Sequence, residues 1–403
     1  MVSVSKQIGS IFLIIGTSLG GGILAIPMLL SYFGAIPGTI IMFLLWLLMT
    51  YSTLAIAEAC QHFEKGISFL GLAHKLFGRF GIVLVYICSF GILYGMLTAY
   101  ISATGSTFQS IFGLNHITSE LLFVAIFGAF ILKGTKHAEW LNRFFLSTKL
   151  IIIIIALVLL LKTVNIQYLE LSSFDNLKQL CITLPVLATT FSAHVIIPTV
   201  RNYVGDNPKE IRRIIMIASL IILSIYTLWI ITIFGNIAIF GGENSFQTFL
   251  ANHSSQDAVI QFLAILKVNI DSHFIITAVY TFISISVTTA FITLSLALKD
   301  LILDRSKIKD ITNPKRTIIL SFLLFILPII INYYFEKLFL MALSVVGLFS
   351  LIMLVTCPLN MVRLLRNQGY ALIYSSMKNR FLNIFAITVS ITIIIFQILD
   401  YLS

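Results

Sequence analysis

Charge is what this sequence has least of. Asp, Glu, Lys and Arg make up 10% of its 403 residues, where a water-soluble domain carries about 25%. Hydrophobic residues make up 59%, more than a soluble core can bury, so most of the chain faces lipid or packs within it. Cysteine is scarce too. Cys60, Cys88, Cys181 and Cys357 sit in or beside apolar runs, without C-x-x-C or metal-ligand spacing. They read as buried thiols with neither a disulfide nor a metal role. No G-x-x-x-x-G-K-[ST] loop occurs, which excludes a P-loop pump driven by ATP. A membrane enzyme needs clustered His, Asp or Glu within its apolar runs. Here Glu58 and His194 are the two candidates, in helices the sequence does not bring together, so neither an enzyme nor a cofactor is expected. No low-complexity linker divides the chain, and we read one domain over 1–403. The first apolar run is too long for a cleavable signal peptide and carries glycines and Pro27.

What is present is a series of apolar runs of spanning length, which read as an all-α membrane protein. Eleven spans of about 20 residues are expected near 8–33, 36–61, 80–109, 118–133, 143–164, 177–200, 211–240, 272–300, 316–334, 338–358 and 380–402. The stretch 243–266 is too polar to span and reads as one or two short helices over the outer mouth. Residues 67–78 are amphipathic and suit the membrane surface. With the N-terminus inside, alternation of sides puts every Lys and Arg except Lys162, Lys178, Lys267 and Lys337 in inner segments or at inner helix ends, out of 26. That asymmetry orients the chain N-in and C-out. It also explains the net charge of +10 as topology and contact with anionic lipid rather than nucleic-acid binding.

The first span contains "IIGTSLGGGILAIP" (14–27). A glycine in a helix interior costs about 1 kcal/mol relative to alanine, and three in tandem invite unwinding. Unwound backbone in a membrane is tolerated where it is buried in protein or lines a cavity. Gly16 and Gly20 also form G-x-x-x-G, a helix-packing motif, but tandem glycines followed by Pro27 exceed what close packing needs.

A second interruption, "LPVLATTFSAHVIIP" (184–198), brackets Thr189, Thr190, Ser192 and His194 with prolines in span six. Spans one and six are five apart. They therefore head two inverted five-helix repeats, about 8–164 and 177–358, with 380–402 as an added helix. Paired broken helices in inverted halves point to a secondary transporter with its site at the midplane. The half-helix beginning near Gly21 offers N–H groups and a positive dipole end to a carboxylate. The first halves of both spans end in carbonyls suited to an ammonium or a small cation. Together they describe a site for an α-amino acid, with Thr17, Ser18, Gly20, Gly21 and Gly22 from span one and Thr190, Phe191, Ser192 and His194 from span six.

"GTSLGGGILAIP" (16–27), "LAIAEACQH" (54–62), "LTAYISATG" (97–105), "FLSTKLI" (145–151) and "HVIIPTVRNYVGDNPKEIRRII" (194–215) resemble the hydroxy/aromatic amino acid permeases over essentially the whole chain. That family belongs to the amino acid–polyamine–organocation group, with the leucine-transporter fold of five-plus-five inverted repeats. The resemblance implies proton-driven uptake of an aromatic amino acid, tyrosine first, across a bacterial inner membrane, the partners being the amino acid, a coupling proton and lipid. The family pattern has glycine and then an aromatic residue before the span-six histidine. Ser192 and Ala193 stand there instead, which keeps a serine/threonine or branched-chain permease as the alternative.

Five further positions have two readings each. Tyr100, deep in span three, can hydrogen-bond the substrate carboxylate or pack in the core. Lys149 in span five can place an ammonium where related sodium-coupled carriers hold their ion, or snorkel to the headgroups. Glu58 suits a structural or gating pair more than proton carriage. Thr288 and Thr289 in span eight can coordinate a cation, which would mean sodium coupling, or bond their own helix backbone.

Overall fold

The computed structural model describes residues 4–133, 135–173, 177–252, 258–306, 314–335 and 338–402. No strand occurs among them; Gly34 and Ser172 form one isolated bridge. The helices in chain order are α1 (Val4–Ser18), α2 (Gly22–Leu30), α3 (Ala35–Gln61), α4 (Phe69–Phe112), α5 (His116–Lys133), α6 (Thr135–Leu161), α7 (Ile166–Glu170), α8 (Leu180–Thr190), α9 (Ile197–Val204), α10 (Pro208–Asn236), α11 (Phe246–Asn252), α12 (Ala258–Asn269), α13 (His273–Ser306), α14 (Pro314–Ser321), α15 (Leu327–Tyr334), α16 (Leu338–Ser350), α17 (Cys357–Asn367), α18 (Ser375–Lys378) and α19 (Arg380–Leu402). Lys307, Lys309 and Lys337, which enter the charge asymmetry, lie outside the described residues.

Among the described residues seven helices are long and apolar enough to cross a membrane. A bent pair, α1 with α2, passes the same test together, turning by 57° across its break. Shorter apolar helices run over His116–Ile131, Ser147–Leu161, Ala258–Asn269 and Ile318–Tyr334. The amphipathic stretch before span three is continuous with it in α4 but turns off at Gly78, whose φ of 65° and ψ of −145° suit a residue without a β-carbon. The polar stretch 243–266 falls on α11 and α12. α12 buries Phe262, Leu263 and Leu266 and packs on α4 and α2.

Proline explains two irregularities. π-helical turns at Phe322–Ile326 and Leu351–Thr356 each run up to a helix with proline in its first turn, Pro328 and Pro358. Proline has no N–H for the carbonyl four residues back, and in lipid that carbonyl must find another donor. Ser52 on α3 donates to the Leu354 carbonyl, four before Pro358.

α19 is pinned to the helices beside it by polar contacts. Gln397 donates to the Ser344 carbonyl at 2.7 Å, and Asn383 donates to the Leu359 carbonyl at 3.3 Å. Between α19, α3 and α8 lies an apolar groove of about 980 Å³. Cys181 lines it and is half-buried, which corrects the expectation that all four thiols are buried. Its place at the start of α8, facing this groove, is the reason.

Candidate functional site

The two interrupted helices face each other. α1 packs on α9, and α2 packs on α8, so each half of one broken span lies against the opposite half of the other. Helix geometry is lost between Leu19 and Gly21 and is regained at Gly22. The backbone of Gly21 is itself α-like, with φ −66° and ψ −10°. What requires glycine at 21 is proximity: a β-carbon would lie 2.5 Å from Tyr100 Cε1. At Gly22 it would lie 3.0 Å from Thr190 Cγ2, where α2 approaches α8.

The groups freed by the breaks are engaged by side chains. The Tyr100 ring, reaching in from α4, lies against the backbone of Gly21, with its hydroxyl 3.6 Å from where a β-carbon of Gly20 would stand. The expected carboxylate cradle therefore faces a phenol. The carbonyls at the ends of the first halves, expected to be open, are engaged. Tyr226 on α10 lies within hydrogen-bond reach of two of them, Ser18 at 2.8 Å and Thr190 at 3.1 Å. Lys149 on α6 donates to the Leu19 carbonyl and lies 3.5 Å from Thr289 Oγ1 on α13. It does not snorkel: it is 1% exposed, with its ammonium beside the span-one break. One turn beyond Tyr226, the Trp229 indole donates to the Ile23 carbonyl at 3.1 Å, four residues before Pro27 and so without a helical donor.

The threonines mostly bond their own helices. Thr17 donates to Ile14, Thr189 to Val186, Thr190 to Leu187, Thr288 to Ser284 and Thr289 to Ser286. The Ser18 hydroxyl is buried with no partner among the described residues. It lines a cavity of about 10 Å³ with Thr50, Thr53, Phe191 and Ala193, room for about one water molecule. Ser192 is half-buried between Phe191 and Ala193. The Phe191 ring meets Tyr226 edge-on, centroids 5.5 Å apart.

His194 is fully buried in the turn between α8 and α9. Thr53 donates to the Met49 carbonyl at 2.8 Å, so its oxygen accepts from His194 Nε2 at 3.3 Å. The neutral ring then presents Nδ1 as a bare acceptor, which has no partner among the described residues. Beside this turn a cavity of about 300 Å³ follows Val195, Pro198 and Asn202, bounded by Val85 and Ser89 of α4 and by Leu301 of α13.

Glu58 is not part of this constellation. Its carboxylate accepts the backbone N–H groups of Ile373 and Tyr374 and the His62 ring, each at 2.8 Å. It fastens the segment between α17 and α18 to the end of α3. Nearby, Arg201 of α9 donates to the carbonyls of Cys60 and Phe63 and to Asp206. Desolvation, the largest single influence, works to raise the Asp206 carboxyl, but the hydrogen bonds and charges of Lys65 and Arg201 together prevail and hold it below its usual value.

Tyr226, Trp229 and Thr53 escaped the sequence reading. The signal available was a pair of polar-tipped aromatics three apart in an otherwise aliphatic span, "SIYTLWII" (224–231). Glu120 escaped as well, so Glu58 and His194 are not the only acidic or imidazole groups buried in the apolar runs. It lies four residues into α5, buried, accepting from Asn332 of α15 at 2.7 Å with His116 at 3.7 Å.

Comparison with known proteins agrees with this architecture. Residues 4–397 match the tryptophan/tyrosine permease family. Tyrosine-specific transport system 1 of Haemophilus influenzae is 28% identical over 361 residues, covering 89% of this chain and 88% of its own. Tyrosine-specific transport system 2 of the same organism is 26% identical over 404 residues, covering 98% and 97%. Glutamine transporter 2 of Aliivibrio fischeri is 26% identical over 369 residues, covering 90% of each. The family and these relatives are transport proteins, not enzymes, and the apolar helices make this chain a multi-pass membrane protein. With nearly its whole length matched and its two broken helices apposed, the chain belongs to the tryptophan/tyrosine permease family.

Proposed function

We propose that this protein imports an aromatic amino acid, tyrosine first, with a proton, by alternating access across a bacterial cytoplasmic membrane. The observation that carries the reading is the apposition of the two breaks. It brings the backbone of Gly21 and Gly22, the carbonyls of Ser18 and Thr190, and Tyr100 to one place. N–H donors beside carbonyl acceptors suit the carboxylate and ammonium of an amino acid. The side chain would lie along Phe191, Ser192 and His194, with Thr17, Ser18 and Gly20 completing the wall.

Coupling falls to Lys149. Its ammonium touches the span-one break through the Leu19 carbonyl. Losing a proton there turns a charge-assisted hydrogen bond into a weaker neutral one, which ties protonation to the position of α1. The lysine ammonium also occupies the space a sodium ion would need between Leu19 and Thr289. The cavity of about 10 Å³ at Ser18 is far too small for an amino acid, so binding requires the walls to part. The cavity of about 300 Å³ along α9 serves as the vestibule on the lysine-rich side.

This reading has His116–Ile131, Ser147–Leu161 and Ile318–Tyr334 crossing the membrane beside the longer spans, giving eleven. Two inverted repeats of five then make one transport domain, and α19 is the addition. The N-terminus lies inside and the C-terminus outside.

A second reading has specific support. A relative named for glutamine transport matches at 26% identity, and Ser192 and Ala193 leave more room and polarity than an aromatic residue would. Uptake of labelled tyrosine into cells, competed by unlabelled tyrosine, tryptophan, glutamine, serine, threonine and leucine, separates the two. Tyrosine and tryptophan should compete most strongly. Competition by glutamine at lower concentration than by tyrosine would replace the aromatic reading.

A further inference from the structure

Tyr226 is fully buried and belongs to neither broken helix, yet it stands where both end. Its oxygen lies 2.8 Å from the last carbonyl of α1, Ser18, and 3.1 Å from the last carbonyl of α8, Thr190. A phenol has one proton and can donate to one of them at a time. Without a donor between them, two converging carbonyls would face one another in a low-dielectric interior, at the cost of an unsatisfied polar group. The hydroxyl is therefore what lets the two helix ends meet. Its ring is held in turn by the Phe191 edge contact, and its helix is fixed to the far side of the span-one break by Trp229 on the Ile23 carbonyl.

The acceptor count shows which ligand this bridge can admit. The Ser18 carbonyl already receives the Gly20 N–H at 2.8 Å, so with Tyr226 both of its lone pairs are in use. With the one phenol proton on Ser18, the Thr190 carbonyl takes no hydrogen bond from Tyr226, and the phenol oxygen keeps its own acceptor capacity. A group with several N–H donors and no acceptor fits that pair. A primary ammonium is such a group; a carboxylate or carbonyl is not. Resting on the amino acid reading above, we propose that the Tyr226 hydroxyl is a binding residue for the substrate ammonium. It accepts one ammonium N–H while the Thr190 carbonyl accepts another, and its own proton stays on Ser18. Substrate binding then ties α1, α8 and α10 together through a single charged group.

The test compares an amino acid with its desamino acid, which has the same side chain and carboxylate but no ammonium. Tyrosine against 3-(4-hydroxyphenyl)propionate is the first pair, replaced by the tryptophan or glutamine pair if the wild type binds that amino acid instead. Equilibrium binding is measured on purified, monodisperse wild type and Tyr226→Phe. The wild type should prefer the amino acid. In Tyr226→Phe the amino acid should lose about tenfold or more in affinity, as for a lost hydrogen bond to a charged group, while the desamino acid changes by less than about threefold. Equal losses for both ligands would reduce Tyr226 to a packing residue and overturn the inference, as would wild-type affinity for the amino acid. A wild type that binds both ligands equally would instead overturn the amino acid reading itself. If Tyr226→Phe does not fold, 3-fluorotyrosine placed at 226 keeps the hydroxyl. Its fluorine resonance should shift with the amino acid and stay with the desamino acid; a shift common to both, or to neither, contradicts the inference.

Discussion

Gly21 carries the sharpest expectation for a single residue. Its conformation would tolerate other residues, but its surroundings would not, because a β-carbon there falls 2.5 Å from the Tyr100 ring. Leucine at this position must push the Tyr100 ring aside and fill the space a carboxylate would use. Gly21→Leu should therefore insert in the membrane yet lose the substrate. Losing one charge-assisted hydrogen bond costs about 1.5–3 kcal/mol, or about 10–150-fold in affinity, and steric blockage adds to it. Equilibrium binding of labelled tyrosine to monodisperse Gly21→Leu checks this, with tyramine, which lacks the carboxylate, as a weak ligand of the wild type. Near-normal affinity in the variant, or equal binding of tyramine, would mean that no carboxylate sits at residues 20–22. The threonines are the quiet counterpart. Thr288 and Thr289 both donate to their own helix, and the touch of Thr289 on Lys149 is what links span eight to the break.

At the scale of elements, the breaks themselves are legible, and two of the side chains that meet them, Tyr100 and Lys149, stand out as candidates, but which freed group each one serves does not. Tandem glycines and flanking prolines act on their own helix, so the sequence shows where α1 gives way to α2 and α8 to α9. The groups that then meet the freed backbone come from elsewhere in the chain. Tyr100 comes from α4, Lys149 from α6, and Tyr226 and Trp229 from α10, and no local pattern announces such pairings. The same holds at Pro358. The π-turn before it follows from proline chemistry, but its donor, Ser52, stands 302 residues away from Leu354. Glu58 looked like one half of a pair of side chains. Apart from His62, its partners are backbone N–H groups more than 300 residues on, which side-chain patterns cannot reveal. Glu120 falls inside an expected span, but nothing local marks it, because its partner Asn332 lies 212 residues away. The family and the helical class were open to view for the opposite reason. They rest on contiguous motifs and on apolar length, which survive without knowledge of contacts.

For the whole molecule, one expectation concerns orientation and one concerns energy source. The proposed orientation, with the N-terminus inside, puts the C-terminus outside. A C-terminal alkaline phosphatase fusion should be active, and a C-terminal fluorescent protein that matures in the cytoplasm should stay dark. A bright fusion would break the count of eleven spans. The central claim is that a proton, held at Lys149 rather than a sodium ion at Thr288 and Thr289, drives an amino acid inward. One positive charge moving inward gains about 2.3 kcal/mol per 100 mV, enough for roughly fiftyfold accumulation from that term alone. The most direct measurement is uptake of labelled tyrosine by proteoliposomes holding the purified protein, with the interior negative and alkaline and with sodium absent on both sides. We predict accumulation above the external concentration that collapses on adding a protonophore. Uptake that requires a sodium gradient and ignores the protonophore would contradict the account.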